Sequence, residues 1–247
     1  MLGLIAIVFV TSPGWHEFRN TFLSWSHFKS SFPGILRAFW LDVKLFVVIE
    51  LVVLPLGLLI ALTRTSKSPA LLPLRLVATV FTDFGRGVPV VLLIYMIGFG
   101  VPALGLSWLP SNPLVLGGIA LSLAYGAYVS EVYRAGIDSV HPAQRSAALA
   151  LGLTETQALR HVVLPQAIRR VLPPLLNDFV ALQKDVALVS FLGPIEAFRQ
   201  AQIDVESSFN YTPYLAAAVL YLCVTIPLSR YVDRTQGAQR RSIGGLA

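Results

Sequence analysis

Long apolar runs separated by shorter polar segments form the main pattern along this chain. A helix needs about 20 apolar residues to cross the hydrocarbon core of a membrane. In lipid only helices or closed barrels satisfy all backbone polar groups, and these runs are too long for barrel strands. Five spans are predicted, at residues 38–62, 74–101, 114–132, 172–192 and 214–232. The pattern therefore predicts an all-α integral membrane protein.

The first two spans carry interruptions. Three ionisable residues lie within the first span: Asp42, Lys44 and Glu50. In the second span, Arg86 stands just before Gly87 and Pro89. Because proline lacks a backbone donor and disfavours helix in the preceding residue, we expect a break here. The Arg86 guanidinium could hold a substrate carboxylate, or it could pair with Asp83 or a lipid phosphate.

Ionisable residues also lie well inside the fourth predicted span, at Asp178, Lys184 and Asp185. Such residues cost a few kcal/mol in a membrane and usually face a cavity or a partner. Asp178 and Asp185 are seven residues apart and share a helix face, whereas adjacent residues do not face each other. Two interpretations stay open, namely structural ties to neighbouring spans and the lining of a transport path or gate.

The residues before the first span are typical of a segment at the membrane surface. Residues 1–10 are apolar but too short to span and lack a basic flank. Residues 11–33 mix aromatic and basic side chains, as interfacial helices do. The chain is therefore divided into an N-terminal interfacial segment (1–33), a transmembrane domain (34–234) and a C-terminal tail (235–247).

Lys and Arg are distributed unevenly among the polar connections. The segment 134–170 carries five arginines, the connection after the first span carries three basic residues, and the C-terminal end carries four. The connection at 101–113 carries no basic residue, and the connection at 194–213 carries one. Cytoplasmic loops are rich in Lys and Arg, so the segment 134–170 and the C-terminus are predicted to be cytoplasmic. An odd number of spans places the N-terminus outside.

Start and stop signals for helices alternate within the segment 134–170. Pro142 suits the first position of a helix, and Gly152 suits the left-handed residue that ends one. Thr154 and Gln157 form a capping-box pattern that starts a second short helix. This helix should stop near residue 164, because a proline follows. The segment is predicted to be two short helices bent at Gly152.

Composition agrees with a membrane protein and excludes several functions. Of 247 residues, 55% are hydrophobic and 13% charged, and the mean hydropathy is +0.69. The single Cys223 cannot form an internal disulfide, and the four histidines lack metal-ligand spacing. No phosphate-binding loop is present, so a nucleotide would have to bind another chain. The net charge of +6 follows from the loop asymmetry and gives no reason to invoke nucleic acid.

The run SAALALG at 146–152, followed nine residues later by VVLPQA, resembles the cytoplasmic EAA coupling loop of permease subunits in ATP-binding-cassette importers. The runs LPPLLNDFVALQKDVALVSFLG and RGVPVVLLIYMIGFGVP resemble the polar amino acid branch of that family. The resemblance covers residues 34–234. Ser146 stands where the family usually has glutamate, and Val162 where it usually has isoleucine.

This resemblance implies a type I importer permease fold with about five transmembrane helices and a coupling loop at 134–170. It also implies that the short helix at 143–151 sits in a groove of the ATPase. The implied coupling residues are Ser146, Ala147, Ala148, Gly152, Leu164 and Pro165. The candidate path or gate residues are Arg86, Asp178, Lys184 and Asp185. No cofactor or metal is expected.

The implied function is ATP-driven uptake of a polar amino acid across a bacterial cytoplasmic membrane. The implied partners are two ATPase subunits, a second permease copy or paralogue, an extracytoplasmic solute-binding protein and the lipid bilayer. Two alternatives from other classes are an integral membrane enzyme and an ATP-independent channel or carrier. An enzyme would need a clustered acid, base or metal site near one interface, and a channel would leave the structured loop unexplained.

Overall fold

The computed structural model describes the backbone of residues 10–66 and 68–244, and side chains as far as residue 235. The predicted apolar start at residues 1–9 lies outside these ranges. Regular structure in the described part is helical throughout. Its α-helices are α1 (Trp15–Phe22), α2 (Trp25–Thr65), α3 (Leu72–Gly87), α4 (Val90–Ala103), α5 (Pro113–Asp138), α6 (Pro142–Ala150), α7 (Glu155–Ala158), α8 (Leu164–Asp185), α9 (Ala197–Ser208) and α10 (Thr212–Gly244).

Several of the described helices are long and apolar enough to cross a membrane. These are Trp15–Thr65, which contains α2, then Pro113–Asp138 and Thr212–Thr235. The pair Pro69–Gly87 and Val90–Ala103 passes the same test when taken together. Large apolar side chains, such as those of Leu51, Leu59 and Val80, are more than 60% exposed, as lipid contact requires. The predicted all-helical membrane fold is confirmed.

The second span is broken where the sequence predicted. The chain bends by 110° between the helical segment that ends at Gly87 and helix α4. Val88, between them, is extended with ψ 130°, because the ring of Pro89 disfavours the helical region for the residue before it.

The first and fourth spans differ from the prediction. Helix α2 begins at Trp25, so it already includes residues that were assigned to the interfacial segment. The predicted span 172–192 is not one helix, because α8 ends at Asp185 and a 3-10 segment, Val186–Leu192, follows. Among the described residues, α8 does not qualify as a span. Five of its residues are charged, namely Arg169, Arg170, Asp178, Lys184 and Asp185.

Helix α5 lies at the centre of the fold. It packs against α2, α3, α4, α8 and the 3-10 segment, and its buried face is rich in Gly and Ala. A Cβ at Gly126 would come within 2.8 Å of the Leu56 side chain on α2, and a Cβ at Gly57 within 2.6 Å of Val129 on α5. Such small residues let helix backbones approach closely in a membrane, where packing rather than water exclusion holds helices together.

Besides the packing around α5, a cluster of buried polar groups joins α2, α9 and α10. Asp42 on α2 is 1% exposed and Glu196 is fully buried. The Asp42 Oδ2 atom accepts hydrogen bonds from the Ala197 amide (3.3 Å) and the Tyr221 hydroxyl (3.1 Å). The same hydroxyl lies 3.3 Å from Glu196 Oε2, and the Glu196 carboxylate caps α9 through the amides of Phe198 and Arg199, both at 2.8 Å. Burial raises the pKa of the Glu196 carboxyl, and the two amide hydrogen bonds oppose this.

We expect Tyr221→Phe to destabilise the protein, because it removes the donor shared by two buried carboxyl groups. Leaving a buried acceptor unsatisfied costs roughly 1–3 kcal/mol. The apparent melting temperature of the purified protein should fall by several degrees, measured by differential scanning fluorimetry in detergent. Tyr231→Phe is the matched control, since Tyr231 lies on the same helix and is 61% exposed. Equal melting temperatures for the two variants would contradict this role of Tyr221.

Candidate functional site

The segment between α5 and α8 begins with a capped helix. The His141 side chain accepts a hydrogen bond from the Ala143 amide at 3.2 Å, and Pro142 occupies the first turn of α6. At the other end, Gly152 has φ +85°. Its amide bonds to the carbonyl of Leu149, and the Leu153 amide to that of Ala148, the two bonds of a Schellman motif. The predicted helix and the predicted bend at Gly152 are confirmed.

The second helix of the segment starts as predicted but does not stop. Thr154 and Gln157 form the full capping box, with hydrogen bonds of 2.9 and 3.3 Å. After α7, however, a π turn (Leu159–Val163) leads directly into α8. The prediction that the helix ends near Leu164 is wrong. The wider turn changes the hydrogen-bond register where Pro165 cannot donate, so the chain stays helical through the proline.

Interactions between its parts brace this segment. Arg145 on α6 binds Glu155 on α7 through two hydrogen bonds of 2.8 and 2.6 Å. Arg170 on α8 donates to the Ser139 carbonyl at the end of α5. Ala158, the last residue of α7, is fully buried. The two short helices, hereafter the loop helices, are therefore held together and tied to both neighbouring long helices.

The predicted coupling residues fall into two groups. Ser146, Ala147, Gly152, Leu164 and Pro165 are exposed. Ala148 is 5% exposed and faces the interior of the loop, so its small size serves packing within the chain.

Exposed leucines on this polar segment escaped the sequence prediction. Leu151, directly before Gly152, is 82% exposed, and Leu159 in the π turn is 56% exposed. The sequence did contain a signal for Leu151. The predicted end of the helix at Gly152 places the residue before it at a bend, where side chains are often exposed. Exposed leucines on a mainly polar segment are available for contact with a partner chain.

A cavity of about 460 Å³, lined by both polar and apolar side chains, lies beside the loop helices. Its walls include Asp138 from α5, His141, Arg145 and Ser146 from α6 and its cap, and Glu155 from α7. The cavity is open, so charged groups of a partner can reach these side chains.

Glu131 joins three helices near the loop. Its Oε2 atom lies 2.8 Å from Arg64 at the end of α2 and 3.7 Å from Arg86 at the end of α3. Glu131 also binds Arg134, which binds Asp138 at 2.7 Å. Glu131, Arg134 and Asp138 thus form a ladder of ion pairs along one face of α5. The contacts to Arg64 and Arg86 were not predicted, since the partners are 67 and 45 residues distant along the chain.

The candidate path residues of α8 lie in different surroundings. Asp185 Oδ2 accepts a hydrogen bond from the Tyr125 hydroxyl at 2.8 Å. Asp178 Oδ2 is buried without a hydrogen-bond partner among the described residues. Lys184 is exposed, on the same face as Asn177, and forms no ion pair with any described residue. Arg86 is brought to Glu131 and not to these residues.

Comparison with known proteins relates this arrangement to transport systems. Residues 53–241 match the family described as the binding-protein-dependent transport system inner membrane component. The probable amino-acid permease protein YxeN of Bacillus subtilis is 33% identical over 222 residues, which cover 89% of this chain and 97% of that protein. The glutamine transport system permease protein GlnP of Escherichia coli is 35% identical over 161 residues, covering 65% of this chain and 73% of GlnP.

Solved structures give the same relation. The crystal structure of an amino acid ABC transporter with histidines contains a chain 32% identical to this one. The TM-score is 0.75, with 89% of this chain and 98% of that chain covered. An inward-facing form of the MetNI methionine ABC transporter matches in fold, with 20% identity, a TM-score of 0.63 and coverage of 83% and 95%.

Proposed function

The chain belongs to the family of binding-protein-dependent transport system inner membrane components, and from this premise we propose that the loop helices dock onto an ATPase and drive uptake of a polar amino acid. The protein is a multi-pass permease subunit of an ATP-binding-cassette importer, not an enzyme. The amino acid as substrate rests on the names of the relatives, which are amino-acid and glutamine permeases.

One observation carries the docking proposal: two large apolar side chains, Leu151 and Leu159, are exposed on a braced and otherwise mainly polar segment. Leu151 directly precedes the bend at Gly152, and Leu159 lies in the π turn after α7. The ion pair of Arg145 with Glu155 joins α6 to α7, and the Schellman motif at Gly152 ends α6. A rigid surface of this kind loses little conformational entropy on binding, which favours a stable contact.

The same segment has a direct connection to the membrane domain. Helix α7 continues through the π turn into α8, which carries the candidate path residues Asp178, Lys184 and Asp185. Arg170 ties α8 to the end of α5. A displacement of the docked loop helices would therefore be transmitted to α8 without an intervening flexible linker.

The family implies separate ATPase subunits and a solute-binding protein as partners. We also propose a second permease, either another copy of this chain or a paralogue. The second permease follows from the two-fold arrangement that the sequence resemblance implies.

We expect Gly152→Val to uncouple the transporter while leaving the membrane domain folded. The φ of +85° is costly for a β-branched residue, by about 1–3 kcal/mol, and the new side chain would face the docking surface. Apart from the neighbours of Gly152 in sequence, no atom of the described residues lies within 4 Å of the added Cβ, so the effect should be confined to the bend and the partner. The measurement is ATPase co-purification, substrate-stimulated ATP hydrolysis and uptake in the assembled transporter.

Two variants serve as controls for Gly152→Val. Gly105→Val imposes the same strain, at φ +63° with equally free surroundings, but in the connection between α4 and α5. It should leave ATPase attachment unchanged. Ser146→Glu restores the residue usual in the family and should be tolerated or strengthen attachment. Normal attachment, hydrolysis and uptake by Gly152→Val would exclude the loop as the coupling element.

We propose that the loop helices and the C-terminus are cytoplasmic and the N-terminus is outside. The ion pair of Arg64 with Glu131 brings the end of α2 to the loop end of α5. At the other end, the Tyr211 amide bonds to the Thr21 carbonyl at 2.8 Å, so α10 begins near the start of α2. The arginines of the segment 134–170 favour the cytoplasm for the loop end.

For this orientation, a cysteine at Ser68, which is exposed in the connection after α2 and outside the proposed docking surface, should react with an impermeant maleimide only after cells are opened. Cys223 is exposed and is first replaced by serine. A cysteine at Trp108, which is 76% exposed in the connection between α4 and α5, should react in intact cells. The reverse pattern of labelling would invert the proposed topology.

We propose that Lys184 serves the transport path, together with Asp178, Asp185 and Arg86. Because Lys184 has no ion-pair partner among the described residues, its loss should not disrupt this chain. Lys184→Met should therefore lower uptake by roughly tenfold or more at normal abundance of the complex. Lys184→Arg, which keeps the charge, should retain more uptake. Full uptake by Lys184→Met would remove Lys184 from the path, and a loss of complex would assign it a structural role.

A further inference from the structure

An apolar groove of about 490 Å³ runs along the outside of the fold between α2 and α5. Val48 and Val52 form its α2 side, and Gly118 and Ile119 its α5 side. Lys44 lies at one end of the groove, level with Leu114 in the first turn of α5, and Leu56 lies at the other. The groove is thus long and apolar, with one charged group, Lys44, near its end.

We propose that this groove binds one anionic phospholipid, with an acyl chain along the groove and the phosphate at the Lys44 ammonium. From Lys44 to Leu56 the helix rises about 18 Å. One leaflet contributes about 15 Å to the hydrocarbon core, so the groove has the length of one acyl chain.

The charge at the end of the groove fits a phosphate. Lys44 forms no ion pair with any described residue; its ammonium lies 5.9 Å from the centre of the Trp40 ring. Trp40 is 60% exposed and lies one turn nearer the start of α2. Tryptophan and lysine at the end of a span are typical of the headgroup level of a membrane, where lysine extends its ammonium toward phosphate.

The same charge argues against a second copy of the chain in the groove. A protein contact that buried Lys44 would need a carboxylate to balance it. In a two-fold contact the partner would present the same surface, and none of the residues that line the groove is acidic. A phospholipid supplies both the apolar chain and the missing negative charge.

Gly118 offers a way to fill the groove without disturbing the fold. Outside its own helix backbone, a Cβ at Gly118 would meet, among the described residues, the Ile49 side chain at an ordinary 4.0 Å. Gly118→Leu therefore places a side chain in the groove. Gly100→Leu makes the same change on α4, where no described atom outside the helix backbone and the neighbours in sequence lies within 4 Å of the new Cβ. For the charge, Lys44→Met is matched by Lys29→Met, another exposed lysine of α2.

The test uses the assembled transporter in nanodiscs of equal phosphatidylglycerol and phosphatidylcholine, followed by native mass spectrometry of retained lipid. We expect the unmodified protein to retain phosphatidylglycerol about fivefold over phosphatidylcholine, as one lysine at a lipid headgroup allows. Lys44→Met should abolish the preference, and Gly118→Leu should abolish retention. Lys29→Met and Gly100→Leu should match the unmodified protein.

Three results would overturn the proposal. The first is equal lipid retention by Gly118→Leu and Gly100→Leu, and the second is an unchanged lipid preference in Lys44→Met. The third comes from benzoylphenylalanine at Ile119, which is 38% exposed in the groove. Irradiation should yield an adduct with phosphatidylglycerol, and a cross-link to a second copy of the chain would assign the groove to a protein contact instead.

Discussion

Close packing of neighbouring helices against the small residues of α5 is the interaction on which the rest of the structure depends. In a membrane the hydrophobic effect does not drive helices together, so close van der Waals packing between helices must hold them. Gly126 and Gly57 allow α2 and α5 to approach at the points where larger residues would collide. With α5 surrounded on several sides, its loop end becomes a fixed support for the segment that follows.

Polar interactions then fix the two ends of this packed core. At one end Asp42, Tyr221 and Glu196 join α2, α9 and α10. At the other end Glu131 binds Arg64 and Arg86 and so joins α2, α3 and α5. Each cluster is composed of groups that would be costly if left unpaired in their partly buried positions. The apolar exterior between them is left to lipid, which is consistent with the exposed valines and leucines along α2.

The sequence predicted those features that depend on neighbouring residues. The capping box at Thr154 and the bend at Gly152 are local, and the break before Pro89 follows from the geometry of one residue pair. The contacts of Asp42 with Tyr221 and of Arg64 with Glu131 join distant parts of the chain, so no pattern of spacing contains them. The motifs of the family resemblance are long and extend over several elements, and the comparisons confirm the family. No local pattern showed that the helix of the fourth predicted span begins at Leu164 or that it changes to a 3-10 segment after Asp185.

The π turn between α7 and α8 has a geometric consequence of its own. Each residue advances an α-helix by 100°, because one turn holds 3.6 residues. A π turn holds an additional residue, and such turns arise where one residue is inserted in an α-helix. Deleting one residue from Leu159–Val163 would therefore rotate the loop helices by about 100° around the axis of α8. The additional residue therefore sets the direction in which the loop helices face, and so the side on which the proposed ATPase would dock.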